Sequence, residues 1–493
     1  MPRVNRAKNP QPGIRFWMDR VLEEIDEVGD SFLPDPVHDL RVALRRCRSM
    51  AGGIGAIDCD KTWKAMRKEC GDLFKNLGVL RDVQVLSGWA LRIGGPEDPA
   101  TVAMLACLNQ RELESRKEAA ESIRAFDKEK WIGWTGRLQA RTRRLPPAGA
   151  VFQLIALRRW IEAHQLHRQA VRNRSMPSYH RLRIGLKKFR YTVENFLPAL
   201  HAEWGGDLRD IQDWLGELHD LSVLWETAAR IGAFPDADCR KRWRAIIERE
   251  QVKRIEQYRA KMLGSHSLWS VWRAGLPGPT RLRALSLNVM EKWGSFHGVD
   301  LGRARGIRRL ALQLFDGLRS RQALKPQEFR NRRALLQAAA IFQEARRSGG
   351  KKVEKAARRL LQQPSLLQGF TPESLELIAI LLTCLRGKFY AGNGPELANF
   401  PEDRRRLVTE LAGILRLARV LARDRKGPIQ GLRARCLGDS IVVFAEGYSE
   451  FSPLAEKVAR ARHTLEWACG MPVLVRSAPE NLTLPAPQSS SAL

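Results

Sequence analysis

His38, Arg41, Arg45 and Arg48 stand three and four residues apart, and so do His180, Arg183, Lys187 and Arg190. At about 100° per residue the first four fall within an arc of roughly 80° on one side of a helix. Leu40, Leu44 and Cys47 fall on the other side, and Leu182, Leu186, Phe189 and Val193 back the second set in the same way. Each stripe therefore presents one sign of charge on a helix whose back packs into a core. A solvated helix face ordinarily mixes signs, because a carboxylate four residues from Lys or Arg stabilises the helix and a like charge destabilises it. No stripe position in either copy carries a carboxylate. A bound anion would offset the repulsion. The histidine at the head of each stripe also invites a catalytic or metal-ligand reading. A metal needs further His, Cys or carboxylate donors converging on one point, and the neighbours here are cations. An imidazole can instead donate a hydrogen bond to a phosphoryl oxygen while guanidinium groups supply charge and bidentate geometry. A purely structural histidine is the other reading left open.

The stripes belong to a longer internal repeat. His38-Asp-Leu-Arg-Val-Ala-Leu-Arg45-Arg46-Cys-Arg48 aligns with His180-Arg-Leu-Arg-Ile-Gly-Leu-Lys187-Lys188-Phe-Arg190 at an offset of 142 residues. A companion block follows each copy: Leu77-Gly78-Val-Leu-Arg81-Asp82 aligns with Leu215-Gly216-Glu-Leu-His219-Asp220 at an offset of 138. Order and spacing are kept, so the first 275 residues read as two copies of one helical unit. The companion block is consistent with a helix junction, in which glycine permits a turn or close packing and Asp82 or Asp220 caps a helix or pairs with arginine. It is equally consistent with an extension of the basic surface by Arg81 and Arg209.

The rest of the chain must position these stripes. Of 493 residues, 84 are Lys or Arg and 54 Asp or Glu, a formal net charge of +30, so a polyanionic partner is expected. Charge alone does not separate nucleic acid, an anionic membrane surface and polyphosphate. At 44% hydrophobic residues the chain can bury sizeable cores, and its length suits two to four domains. Its eight cysteines form no C-x-x-C pair and read as buried or free thiols rather than zinc ligands. No apolar run is long enough to span a membrane, and the first residues lack the apolar core of a signal peptide, so the protein is expected to be cytoplasmic. Segments rich in Ala, Leu, Arg, Lys and Glu predict helices almost throughout, with few strand-like runs before Gly275. Pro and Gly punctuate the chain at Leu145–Ala150 and Gly275–Thr280, and a polar tail runs from Ser477.

The two H-x-x-R-(V/I)-x-x-(R/K)-(R/K)-x-R blocks, each followed by its L-G-x-x-x-D block, closely resemble the CHAD domain. The resemblance covers residues 14–275, as repeats of about 14–145 and 151–275. It implies a duplicated four-helix bundle with pseudo-two-fold symmetry and a role in binding inorganic polyphosphate. The implied ligand surface comprises His38, Arg41, Arg45, Arg46, Arg48 and Arg81 from the first copy. The second copy would add His180, Arg183, Lys187, Lys188, Arg190, Tyr191 and Arg209. Tyr191 and Glu194 complete an R-Y-x-x-E ending that the first copy replaces with Ser49 and Gly52.

Residues 285–476 are similar to the C-terminal part of the exopolyphosphatase/guanosine pentaphosphate phosphatase family, a helical domain of HD-phosphohydrolase type with a small α+β end. Leu335 to Phe342, Gly369-Phe-Thr-Pro-Glu373, Leu415 to Arg425, Gly438 to Ala445 and Met471 to Val475 carry the similarity. The family's L-H-D-I-G dyad falls on Ile341-Phe342-Gln343-Glu344-Ala345, and its H-H-K-H cluster falls around Val353 to Ala356, so the metal ligands are missing. The remaining boundaries are a flexible N-terminus at 1–13, a linker at 276–284 and a disordered tail at 477–493. A mainly all-α fold and a non-catalytic polyphosphate-binding protein are therefore expected, with no cofactor and with residence on polyphosphate granules. Two other classes compete. Nucleic-acid binding agrees with a pI of about 10.5, and weak non-specific binding is expected on charge alone. Folds that read nucleic acid place aromatics, Asn or Gln beside their basic residues, and the stripes offer only Tyr191. A polyphosphate or nucleotide phosphohydrolase would need the missing metal ligands.

Overall fold

The computed structural model describes residues 13–29, 31–319, 324–385, 397–398, 400–422 and 429–478. The expected flexible N-terminus before Gly13 and the tail beyond Ala478 lie outside the described residues, while Ser477 closes a strand. The chain divides into two compact units, Met1–Gly278 and Pro279–Leu493.

The first unit is helical throughout its described residues, in two runs of five. One run is α1 (Ile14–Val28), α2 (Pro34–Ile54), α3 (Lys61–Gly94), α4 (Pro99–Arg124) and α5 (Lys128–Thr142). The other is α6 (Ala150–Asn173), α7 (Met176–Phe196), α8 (Pro198–Arg230), α9 (Ala237–Met262) and α10 (Leu268–Gly275). Corresponding helices match in length: α2 and α7 have 21 residues each, and α4 and α9 have 26 each. The caps repeat as well. Asp98 accepts the Thr101 amide at the start of α4, and Asp236 accepts the Cys239 amide at the start of α9, satisfying donors that a helix start otherwise leaves open.

Equivalent helices meet each other, α2 against α7 and α3 against α8, as a two-fold relation between the copies requires. A core shared by α3, α4, α8 and α9 closes this pairing, with Trp89, Met104, Leu221, Leu224 and Trp243 buried together. Each fully buried side chain of this kind contributes about 1.5–3 kcal/mol. Asp98 ties the copies further, accepting the Trp243 indole N–H at 2.9 Å and pairing with Arg242. The central pair α2 and α7 buries its apolar backs, Leu40, Leu44, Cys47, Leu182, Leu186, Phe189 and Val193. The polar faces of those helices are thereby fixed in register.

The second unit opens with α11 (Pro279–Phe296), α12 (Leu301–Gly317), α13 (Pro326–Gln343) and α14 (Ala345–Leu361). It continues through α15 (Pro372–Cys384) and α16 (Glu402–Leu421) to β1 (Leu432–Leu437), β2 (Ser440–Ala445), α17 (Leu454–Cys469) and β3 (Val473–Ser477). Residues 279–284, expected as linker, are instead the first turns of α11, because proline is well placed at a first helical position. Within Gly369-Phe-Thr-Pro-Glu373, Thr371 caps α15 and Pro372 starts it. Strand β2 pairs antiparallel with β1 across the Gly438–Asp439 turn and parallel with β3 across α17. Among the described residues no helix is long and apolar enough to cross a membrane.

Candidate functional site

The cations of α2 and α7 come together between the copies. Arg41, Arg45, Arg183, Lys187 and Arg190 are electrostatic neighbours, with Asp82 of α3 and Asp220 of α8 beside them. Among the described residues Arg41, Arg45, Arg48, Arg183 and Lys187 form no ion pair with any carboxylate. Arg183 Nε is buried without a hydrogen-bond partner. The contacts that do hold these side chains are of other kinds. Arg41 donates to the Phe74 carbonyl at 3.0 Å, and its guanidinium lies 4.3 Å from the Phe74 ring centroid. Arg48 approaches the same ring, at 5.2 Å, and Arg45 lies 5.1 Å from the Tyr191 ring. Such contacts orient a guanidinium and leave its charge uncancelled.

The electrostatic consequence is largest at Lys187. Burial, with Arg45, Arg183, Arg41 and Arg190 around it, lowers its pKa to about 7. Burial also lowers Arg41, to about 10, against the pull of Asp82, so this guanidinium is still charged at neutral pH. Burial raises the Asp220 carboxyl to about 6, with Arg183 opposing. Desolvation thus works against the charged forms of Lys187, Arg41, Arg45, Asp82 and Asp220, and for the cations a ligand of opposite sign would relieve it.

The companion blocks lie in the middle of α3 and α8, which corrects the helix-junction reading. Their glycines do not turn the chain. A Cβ on Gly78 would fall 2.9 Å from Arg41 Nη1, and one on Gly216 would fall 3.8 Å from Arg183 Nε. Gly78 leaves space that the stripe arginine of its copy needs, whereas at Gly216 a Cβ would only touch Arg183 at ordinary contact distance. The aspartates face the cluster and cap nothing.

The expected site residues separate into those the fold brings together and those it does not. His38, Arg41, Arg45, Arg48 and Arg81 line the first copy, and His180, Arg183, Lys187, Arg190 and Tyr191 the second. Burial and the Arg81 charge lower the His38 pKa, which keeps its imidazole neutral at pH 7. Arg46 is turned away: it pairs with Glu194 and Asn195 of α7, over the Trp17 ring. Its position lies off the arc of the other four, and the chain uses it to join the copies. Lys188 is exposed beside the stripe, and Arg209 is exposed on α8, near His201 and Asp213. His219 joins the cluster although the stripe pattern misses it: its Nδ1 lies 3.2 Å from His180 Nδ1, and Arg183 and Lys187 are its electrostatic neighbours. The repeat alignment carries the signal, since His219 stands where the first copy has Arg81.

At the positions where its resemblance places a metal dyad, the second unit has Phe342, Gln343 and Glu344. Phe342 is buried against Trp293, with ring centroids 5.3 Å apart, and Glu344 is buried in an ion pair with Arg303. Among the described residues no three His, Cys, Asp or Glu side chains gather as a metal site would require. These residues do not fit a divalent metal.

Residues 17–229 match the family model described as CHAD domain, and residues 283–455 match that described as Ppx/GppA phosphatase, domain III. No curated protein matches the chain. Among solved structures, the crystal structure of the CHAD domain from the plant Ricinus communis is similar at 20% identity. That match covers 55% of this chain and 95% of the other, with a TM-score of 0.37.

Proposed function

We propose that this chain, which carries a CHAD domain at 17–229 and a Ppx/GppA phosphatase domain III at 283–455, binds inorganic polyphosphate without hydrolysing it, through the facing stripes of α2 and α7. The observation that carries the reading is the cluster of Arg41, Arg45, Arg183 and Lys187, desolvated and without ion pairs among the described residues. Cations three or four residues apart on a helix are about 5–6 Å from one another, which suits a flexible chain bearing closely spaced charges. The stripe aromatic, Tyr191, is half-buried with Arg45 over its ring, which favours polyphosphate over stacked nucleic-acid bases. The residues at the second unit's lost metal dyad support a non-catalytic role. Residence in the cytoplasm on polyphosphate granules belongs to the same reading.

Replacing Arg41, Arg45, Arg183 and Lys187 together with glutamine should weaken long-chain polyphosphate binding about a hundredfold or more, since each charge-assisted contact contributes about 1.5–3 kcal/mol. The slope of affinity against salt should flatten as well. The variant should stay folded, because it removes repulsion and breaks no ion pair. Unchanged affinity and salt slope in the folded variant would disprove the assignment.

A further inference from the structure

Lys187 is the only lysine among the stripe positions, and its amine can do chemistry that the guanidinium groups around it cannot. It sits in mid-α7, half-buried, with Arg183 one turn before it and Tyr191 one turn after. Side chains four residues apart on a helix are about 5–6 Å from one another. The Arg45 guanidinium of α2 lies over the Tyr191 ring, 5.1 Å from its centroid, and so comes down on the same stretch of α7. Arg41 of α2 and Arg190 of α7 complete the cationic surroundings. The acidic groups facing the amine are Asp82 of α3 and Asp220 of α8, and His219 of α8 is an uncharged neighbour at pH 7. Helix α6 packs on the opposite side of α7, where Ala163 and Leu166 lie against Gly185.

Such an amine differs from an exposed one in two respects. Its pKa of about 7 leaves much of it unprotonated at neutral pH, and the unprotonated amine is the nucleophilic form. Its surroundings are also short of negative charge, because Arg41, Arg45 and Arg183 form no ion pair among the described residues. A reaction that places an anion on the side chain is therefore favoured here. Carbon dioxide is the electrophile that does so. It is small and uncharged, and the carbamate it forms carries two oxygens, which match the fork of a guanidinium.

We propose that Lys187 is a carbon dioxide site, whose amine adds CO₂ reversibly to form a carbamate held by Arg45 and Arg183. The nitrogen lone pair attacks the carbon, an N–C bond forms, and one C=O π pair moves onto oxygen. The nitrogen then gives a proton to water, so that R–NH₂ and CO₂ yield R–NH–CO₂⁻ and H⁺. The side chain ends with a negative charge where a phosphoryl group would otherwise lie. Carbon dioxide and polyphosphate therefore exclude each other at this position, a consequence that rests on the polyphosphate reading. Formation of the carbamate does not rest on it.

The test uses the full chain at pH 8 with carbon-13-labelled bicarbonate and the CO₂ in equilibrium with it, read by carbon NMR. A carbamate resonance should appear. Alkylation with an oxonium salt, followed by peptide mass spectrometry, should place the trapped carboxyl group on Lys187. The peptide assignment matters because an α-amino group also titrates near neutrality and can take CO₂. Lys187→Arg should abolish the Lys187 adduct, and Arg183→Gln should reduce it about tenfold, the scale of one charge-assisted hydrogen bond. Lys188→Arg, which alters the exposed lysine next in the chain, should leave it intact. Absence of an adduct on Lys187 in the native chain, or an adduct indifferent to both Arg183→Gln and Arg45→Gln, overturns the proposal. If those variants do not fold, trapping on the native chain decides alone. With half of the chains carrying the adduct, apparent polyphosphate affinity should fall about twofold in the native chain and not at all in K187R. Adduct and polyphosphate held together on one chain would overturn the exclusion. An adduct in a chain that retains no polyphosphate would keep this proposal and sink the first, and polyphosphate retention without an adduct would do the reverse.

Discussion

The two copies of the stripe occupy equivalent helices and use different chemistry at equivalent positions. Arg45 in the first copy stands where the second has Lys187, Arg81 where it has His219, and Phe74 where it has Gln212. Arg48 therefore rests over an aromatic ring, whereas Arg190 donates to the Gln212 carbonyl at 3.1 Å. The first copy has guanidinium groups at both of the first two positions. The second holds Lys187 at about 7, Asp220 at about 6 and His219 lowered by burial to about 4. Both copies hold their cations at equivalent positions, and the second has a lysine and a histidine where the first has arginines. The second copy also reaches across to the first, Tyr191 to Arg45 and Glu194 to Arg46, while Ser49 and Gly52 make no matching gesture.

That one-sided bridge supplies the largest expected effect. Glu194 is nearly buried, and Arg46, Arg190 and His201 surround it. Glu194→Gln should destabilise the chain by about 3 kcal/mol in urea unfolding, because breaking a buried pair leaves an uncompensated charge. Affinity of the remaining folded protein for polyphosphate should change little. A loss of affinity without a loss of stability would make Glu194 part of the ligand surface and erase the distinction between bridge and stripe.

The bridge also shows where sequence reasoning stops. The stripes are legible because a period of 3.6 residues is local: four cations on one arc and apolar residues behind them need no knowledge of the fold. Arg46 falls off that arc, which sets it apart locally, but its partner lies 148 residues away, so no local pattern shows what it pairs with. The companion glycines are visible as a repeat, but their purpose depends on which side chain approaches from the neighbouring helix. Pro279 reads as punctuation because proline beside glycine breaks elements as readily as it begins them; only the following turns decide. In the second unit the residue types at the expected metal dyad, Phe342, Gln343 and Glu344, are read directly. The pairing of Arg303 with Glu344 is not.

Acidity should separate the copies next. Binding a polyanion favours charged Lys187, whose pKa in the free protein is about 7. Affinity should therefore be fullest below pH 7 and fall about tenfold between pH 6 and pH 8, with protons taken up on binding above pH 7. Ionisation of Asp220 through about 6 adds to the fall. Stability of the free chain should run the other way at Lys187. The unfolded lysine holds its proton up to its ordinary pKa, so the fold binds fewer protons between pH 7 and about 10.4 and gains stability as pH rises across that window. For Asp220 the folded pKa is raised, and its part of the stability falls as pH rises from about 4 to 6. Calorimetry in buffers of different ionisation enthalpy would count the protons. Lys187→Arg, which cannot release its charge, should flatten the affinity profile. An unaltered profile would place the titration elsewhere.

The smallest difference concerns the two glycines. Alanine replaces glycine in a helix interior with a gain of up to about 1 kcal/mol, unless the new methyl meets something. At Gly216 the nearest atom is Arg183 Nε at 3.8 Å, an ordinary contact, so Gly216→Ala should raise stability by up to about 1 kcal/mol and leave affinity unchanged. At Gly78 the methyl would fall 2.9 Å from Arg41 Nη1, so the guanidinium must shift away from the Phe74 carbonyl. Gly78→Ala should forfeit the propensity gain and weaken polyphosphate binding about threefold, the scale of one compromised hydrogen bond. Because the substitution is the same in both copies, helix propensity cancels and the comparison isolates the packing of Arg41. Equal affinities for the two variants would mean that Arg41 need not hold its position to bind, and that the first copy acts by charge alone.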